Sequence, residues 1–331
     1  MKHVPLISVI IVNYNGKDLL KACLESIKNQ TFQSLEIIVI DNSSSDGSVE
    51  FIKSAYPDVK IIPLQRNIGF GGANNAGLKE ASGDYIMLLN NDTEADRECI
   101  RNLYETMEAH PEVGICASKM IVYGQGIIDS AGDGFSSNLK CYKRGEGLSS
   151  DLYAKEEYVF GACAGAALYR KKMIEEIGFF DESFFLIHED SDLNCRAQIA
   201  GWKVLYVPNA VVHHKVRSTI GNMSDMAIYY SLRNIEYVRI KNIPLALFLR
   251  CFPEIVLSTI SEFIYYGLRH KSLGVYLRSK IDVIRNLKKM LLKRKKVLAL
   301  KKVDTAYLTS IMTPIWAKEF LSEKGKKLLF R

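Results

Sequence analysis

The sequence has no CxxC pair, no GxxxxGK[ST] phosphate loop, no internal repeat and no low-complexity segment. Its seven cysteines (Cys23, Cys99, Cys116, Cys141, Cys163, Cys195 and Cys251) are odd in number and scattered. That excludes a disulfide scaffold or zinc framework and fits reduced thiols packed as small core residues. No uncharged stretch approaches the roughly 20 residues that a membrane span requires. The most apolar region, 243–268, is interrupted by Arg250, Glu254 and Glu262. The apolar run Leu6 to Val12 after Met1-Lys2-His3 is too short for a secretory leader and lacks a small-residue cleavage site, so none is expected. A dinucleotide fingerprint is missing after the first strand; Gly69-Phe70-Gly71-Gly72 carries half of one in the wrong place, which argues against a Rossmann dehydrogenase.

What is present is ordinary bulk and a divided charge. At 331 residues, 48% hydrophobic, 24% charged and 10% aromatic, the chain is long enough for one large α/β domain with a smaller attached unit. The net charge of +7 conceals two unlike parts. Residues 1–240 hold 24 basic and 31 acidic residues, a net of −7, and residues 241–331 hold 20 and 6, a net of +14. An acidic body does not fit a nucleic-acid binder, and a basic tail on it implies a second task.

The first half alternates strands and helices. Leu6–Val12, Glu36–Ile40, Lys60–Leu64 and Tyr85–Leu89 are short apolar, β-branched runs, as buried parallel strands should be. Between the first two, Leu19, Leu20, Cys23, Leu24 and Ile27 repeat at helical spacing. Successive βα units imply a parallel sheet with ligands at the carboxyl ends of its strands. One rim then collects Asn13–Gly16, Asp41–Ser48, Arg66–Gly72 and Asn90–Asp92. In the second half, helices are expected over Ala95–His110, Lys171–Ile177, Asp190–Ala200 and Asn222–Lys241, and strands within Val113–Val122, Tyr158–Tyr169, Trp202–Val207 and Val211–His214. Gly124–Ser150, rich in Gly and Ser, reads as a surface excursion, and from Pro244 the chain reads as helical, apolar and basic.

Several residues here carry chemistry. Asp41 closes a strand on the rim, where a carboxylate can accept an N–H from a planar base; it serves equally as an Asx-turn or N-cap. Asp92 can bind a hard divalent ion with phosphate oxygens and water, or cap the next helix. His188-Glu189-Asp190-Ser191-Asp192 follows Phe179, Phe180, Phe184 and Phe185. Apolar walls and like charge raise a carboxylate's pKa, as a general base needs, although acids also suit a helix N-terminus. His213 and His214 end a strand, so one of the two can face the site.

The order of these pieces resembles family 2 glycosyltransferases of the GT-A fold. The residues that carry the resemblance are Val9 to Asn15, Val39 to Ser48, Arg66-Asn67-Ile68-Gly69-Phe70 and Leu88-Leu89-Asn90-Asn91-Asp92. In the second half they are Gly165-Ala166-Ala167, Gly178 to Glu182, Glu189-Asp190-Ser191-Asp192, Arg196, Gly201-Trp202 and His214 with Ser218. The resemblance covers about residues 5–240 and is nearest the rhamnosyltransferase-type members that build bacterial surface polysaccharides. It implies an α/β fold: a mainly parallel nucleotide-binding sheet flanked by helices over 1–240, with a helical extension over 241–331.

The resemblance also implies roles. Asn13, Tyr14, Asp41, Arg66, Asn67, Gly69, Asn91 and Asp92 would bind the nucleotide and donor. Asp92 and His214 would hold Mg²⁺ or Mn²⁺, with Asn90 standing where many members have the first Asp of DxD. Asp190 would be the base, supported on the acceptor side by Glu189, Asp192, Arg196 and Gly165. The implied reaction is inverting transfer of a sugar, rhamnose in that branch, from a dTDP- or UDP-sugar to a hydroxyl of a lipid-linked or growing polysaccharide acceptor. Two other readings stay open on the residues: a sugar nucleotidyltransferase and a non-catalytic sugar-nucleotide-binding protein. The basic run Arg285 to Lys302 suggests peripheral attachment to an anionic membrane at its cytoplasmic face, or a homodimer contact.

Overall fold

The computed structural model describes residues 5–216 and 224–317. Its first half is β1 (Ile7–Asn13), α1 (Lys17–Lys28), β2 (Leu35–Asp41), α2 (Ser48–Ala55), β3 (Lys60–Pro63), α3 (Gly69–Glu80), β4 (Tyr85–Leu89), β5 (Thr93–Ala95), α4 (Cys99–Ala109) and β6 (Val113–Val122). There follow β7 (Ile128–Ala131), β8 (Asp133–Ser136), β9 (Lys140–Lys143), β10 (Glu157–Val159), β11 (Ala166–Arg170), α5 (Lys171–Ile177), α6 (Glu189–Ile199) and β12 (Lys203–His214). The last part is α7 (Asp225–Asn242), α8 (Leu245–Arg250), α9 (Phe252–Glu262), a π-helical segment Phe263–Arg269, α10 (Leu273–Arg285), α11 (Leu287–Ala299), α12 (Thr305–Ser310) and β13 (Met312–Thr313).

The main sheet runs β10-β12-β6-β11-β4-β1-β2-β3. β1 pairs in parallel with β2 and β4, and β2 with the edge strand β3; β1, β2 and β3 are each followed by a helix that crosses back to the next strand. The β1–β2 register sets Asn13 beside Asp41. β11 enters antiparallel between β4 and β6, which makes the sheet mixed. One apolar cluster fills each face of the sheet, and a third joins α6, α7 and the C-terminal helices.

Three expectations shift. Residues 124–150 are no surface excursion: β7 extends the main sheet beside β6, and β8 and β9 form a hairpin that β13 joins in parallel. Phe135 and Leu139 are buried against residues such as Phe160, Cys195 and Met290, so tertiary packing overrides the Gly- and Ser-rich composition. The helix expected from Ala95 starts at Cys99, because β5 pairs with β12 and the Asp96 N–H bonds to the Val211 carbonyl at 3.0 Å. The two strands expected over 202–214 are one, β12, with an irregularity between Val207 and Val211 around Pro208.

The boundary expected at residue 240 falls inside α7. Among the described residues no helix is long and apolar enough to cross a membrane.

Candidate active site

At the tip of β1, Asn13 is the centre of a buried polar knot. Its Nδ2 donates to Asp41 Oδ1 (3.1 Å) and Ser44 Oγ (3.2 Å), and its Oδ1 accepts from Asn91 Nδ2 (2.8 Å). Asp41 Oδ2 accepts the Ser44 N–H at 2.9 Å. The turn role of Asp41 is therefore realised, yet a carboxylate has about four acceptor sites and keeps room for one more N–H. Gly16 lets the knot close: a Cβ there would lie 2.2 Å from Asn91 Nδ2. Tyr14 stands exposed beside it.

Arg66 is exposed on the next loop, whereas Asn67 Oδ1 accepts from Asn42 Nδ2 (3.0 Å) and the Gly69 N–H (2.9 Å), tying two rim loops together. Gly69 has φ +78°, and a Cβ there would lie 2.2 Å from the Phe185 carbonyl oxygen. Gly165 backs the fourth loop, its carbonyl accepting the Asn90 N–H at 2.9 Å.

Strand alternation separates the two histidines. His213 turns outward to Asp96 (3.2 Å), and His214 turns inward, with Nε2 at 3.3 Å from Asp92 Oδ1 and Nδ1 at 2.9 Å from Asp129 Oδ2. Lys143 Nζ lies 2.7 Å from Asp129 Oδ1. Burial works against a charged His214, but hydrogen bonds to Asp129 and Asp92 outweigh it and push its pKa up to about 9. Burial likewise opposes ionised Asp129, and His214 and Lys143 overcome it, holding that carboxyl down at about 2.

Apart from this His214 contact, the buried Asp92 Oδ1 has no partner. With His214 oriented through Nδ1 by Asp129, this is the donor pair and supporting carboxylate that a divalent ion uses. No group of three His, Cys, Asp or Glu side chains that could hold a metal forms among the described residues. The pair thus fits an ion whose remaining ligands come from a phosphate group and water.

The acidic cluster opens α6. Phe185, Ile187 and His188 all have left-handed backbone (φ 61°, 66° and 70°), an expensive conformation for such side chains. The segment is held from outside. Asn234 Nδ2 donates to the carbonyls of Phe184, Leu186 and Ile187 at 2.8, 2.7 and 2.7 Å, and Arg233 Nη2 to those of Ser183 and Phe184 at 2.9 and 3.1 Å. On the other side the Phe70 N–H bonds to the Phe185 carbonyl at 2.8 Å.

Asp190 accepts the Ser191 N–H at 2.7 Å and stays half-buried, while Glu189 and Asp133 are buried, each with one carboxylate oxygen unpartnered. Burial drives all three carboxyls upward, Glu189 to about 8, and the charge of Asp190 adds to both neighbours. Asp192 differs: it is fully buried, and Lys241 (2.9 Å), Arg196 (3.0 Å) and Asn242 (2.9 Å) hold it. Burial raises its pKa, but Lys241 and Arg196 bring it below the usual range. Arg196 also donates to the carbonyls of Ile177 and Gly178 at 2.8 and 2.7 Å, so its contacts and those of Asp192 are architectural.

The structure thus brings Asn13, Asp41 and Asn91 together, and Asp92 with His214; Asp192 and Arg196 face the interior. Ser218 lies outside the described residues. Asp129, Asp133, Lys143, Arg233 and Asn234 were missed from the sequence. The available signals were two acids four apart around Ala131-Gly132, and an adjacent Arg-Asn pair within the helix expected over Asn222–Lys241.

The family model described as Glycosyl transferase family 2 matches residues 8–178. The N-acetylglucosaminyl-diphospho-decaprenol L-rhamnosyltransferase of Mycobacterium tuberculosis is 29% identical over 246 residues, 65% of this chain and 78% of that protein. Glycosyltransferase GlyA of Streptococcus pneumoniae is 28% identical over 218 residues, 64% of this chain; the match spans 30% of that longer protein. Among solved structures, S. aureus TarS 1-349 in complex with UDP-GlcNAc superposes with a TM-score of 0.59 at 17% identity, covering 89% of this chain and 90% of that one. The Pyrobaculum calidifontis mannosyltransferase PcManGT, in complex with GDP-Man and Mn²⁺, gives 0.53 at 16%, covering 100% and 89%. At these identities the superpositions speak for the shared fold.

Proposed function

This chain belongs to glycosyl transferase family 2, and on that premise we propose that it is an inverting glycosyltransferase. The donor is a nucleotide sugar, dTDP- or UDP-linked and rhamnose in our reading. The acceptor is a hydroxyl of a lipid-linked or growing surface polysaccharide at the cytoplasmic face of the cell membrane. The named relative that acts on a decaprenol-linked sugar supports that acceptor class.

The observation that carries the reading is the setting of Asp190. It is half-buried, so a hydroxyl can reach it, and its pKa is raised, so it can take a proton. Asp190 removes the acceptor hydroxyl proton as that oxygen attacks the anomeric carbon from the face opposite the diphosphate. Asn13, Asp41 and Asn91 hold the rim on which the base sits, with Asp41 accepting an N–H of the base. A divalent ion, Mg²⁺ or Mn²⁺, held by Asp92 and His214, would offset the charge of the leaving diphosphate.

Asp190→Asn is expected to lower turnover by about 10²–10⁴-fold, the usual worth of a positioned base, with nucleotide binding intact by calorimetry. Near wild-type turnover would remove Asp190 from this role. Release of nucleoside diphosphate rather than pyrophosphate separates this chemistry from nucleotidyl transfer, and transfer insensitive to EDTA would take the ion out of it.

A further inference from the structure

The basic run singled out in the sequence is not the surface that most resembles a membrane contact. In α11, Met290 and Val297 are buried, Lys293 pairs with Asp181, and Arg294 donates to the Ile240 carbonyl at 2.8 Å. The apolar surface lies mostly before it. Of the 22 large hydrophobic side chains that stand exposed among the described residues, 16 fall between residues 245 and 292. They recur at helical spacing: Phe252, Val256 and Ile260 on α9, and Leu277, Ile281 and Ile284 on α10, the last 72% exposed. The opposite faces of the same helices, with Ile255, Glu262, Tyr276 and Ser279, are buried. In the same span seven Lys and Arg are exposed, from Arg250 to Lys289, and no Asp or Glu is.

We infer that the outer face of α9, the π-helical segment and α10 lies in the headgroup region of an anionic bilayer, parallel to its plane. An amphipathic pair with an apolar face and a rim whose exposed charges are all basic is built for that boundary, and neither helix is long enough to span it. The rim also decides between occupants. In a two-fold dimer the patch would face its own copy and bring two cationic rims together, whereas anionic lipid neutralises the rim. The inference is independent of the transfer chemistry and is tested without it.

The test is co-sedimentation of the full chain with phosphatidylcholine vesicles, with and without phosphatidylglycerol. Expected are binding that requires phosphatidylglycerol, weakens with added salt, and falls at least tenfold in the double variant Ile260→Glu/Ile281→Glu. Both side chains are exposed, so circular dichroism and nucleotide binding should not change. Absence of binding by the wild-type chain, or equal binding by the variant, overturns the inference. So does a dimer, seen by light scattering, that the same variant dissociates, since the face would then belong to a second copy.

Discussion

Asn234 shows how a single amide can hold the segment that leads to the proposed base. It supplies two protons to three carbonyls, while Arg233 Nε donates to its Oδ1 at 2.9 Å and fixes its orientation. The segment it holds adopts costly left-handed backbone immediately before the acidic cluster. Asn234→Ala should therefore cost about 1–3 kcal/mol through unsatisfied buried carbonyls. Its turnover should fall by about tenfold or more as the cluster loosens. Calorimetric nucleotide affinity should hold, and a parallel loss of affinity would show that the residue serves the whole rim. Gly69 meets the same segment from the other side, and Gly69→Ala combines a strained φ with a clash on the Phe185 carbonyl. We expect a lower melting temperature and reduced soluble yield, not a selective kinetic defect.

At the scale of elements, α6 and α7 are locked by Asp181, Asp192, Lys241, Arg196 and Asn242. Both aspartates are held below their usual range: burial raises their pKa, but Lys241 outweighs it, together with Lys293 at Asp181 and Arg196 at Asp192. A depressed folded-state pKa stabilises above the unfolded value of about 3.9 and loses that contribution as pH falls below it. Melting temperature should thus drop steeply below about pH 4. Lys241→Met should cost about 3 kcal/mol by urea denaturation, at the low end for a broken buried pair because Asp192 keeps Arg196 and Asn242. Glu189 acts in the opposite sense. Its raised pKa means that stability declines as pH climbs from the ordinary carboxylate range toward 8. Glu189→Gln should therefore melt higher than wild type at pH 8, and equal melting there would show that its burial is already compensated.

The same scale explains what could be read in advance. β1, β2 and β4 are runs of β-branched and aliphatic residues because the sheet buries both their faces, and that pattern is local. Alternation along one strand shows that only one of His213 and His214 faces the site, and the family resemblance, not the pattern, picks His214. β7 and β8 could not be seen this way. Their Asp, Ser and Gly residues are buried by elements far along the chain, so Asp129 and Asp133 looked like loop residues. Asn234 was hidden for a related reason: its carbonyl partners lie about 50 residues earlier.

For the molecule as a whole, the short strand β13 matters more than its length suggests. Its pairing with β8 is reinforced by the Ser137 N–H on the Thr313 carbonyl (2.9 Å) and by Tyr142 Oη against Thr313 Oγ1 (2.8 Å). The hairpin it closes leads to Lys143 and to Asp133 beside the proposed base. Two residues near position 312 thus complete a structure begun near 135. During synthesis at about 5–20 residues per second, the nascent chain carries this hairpin unfinished for roughly 10–35 s. Until the residues near 312 have been made, the hairpin beside Asp133 lacks its third strand.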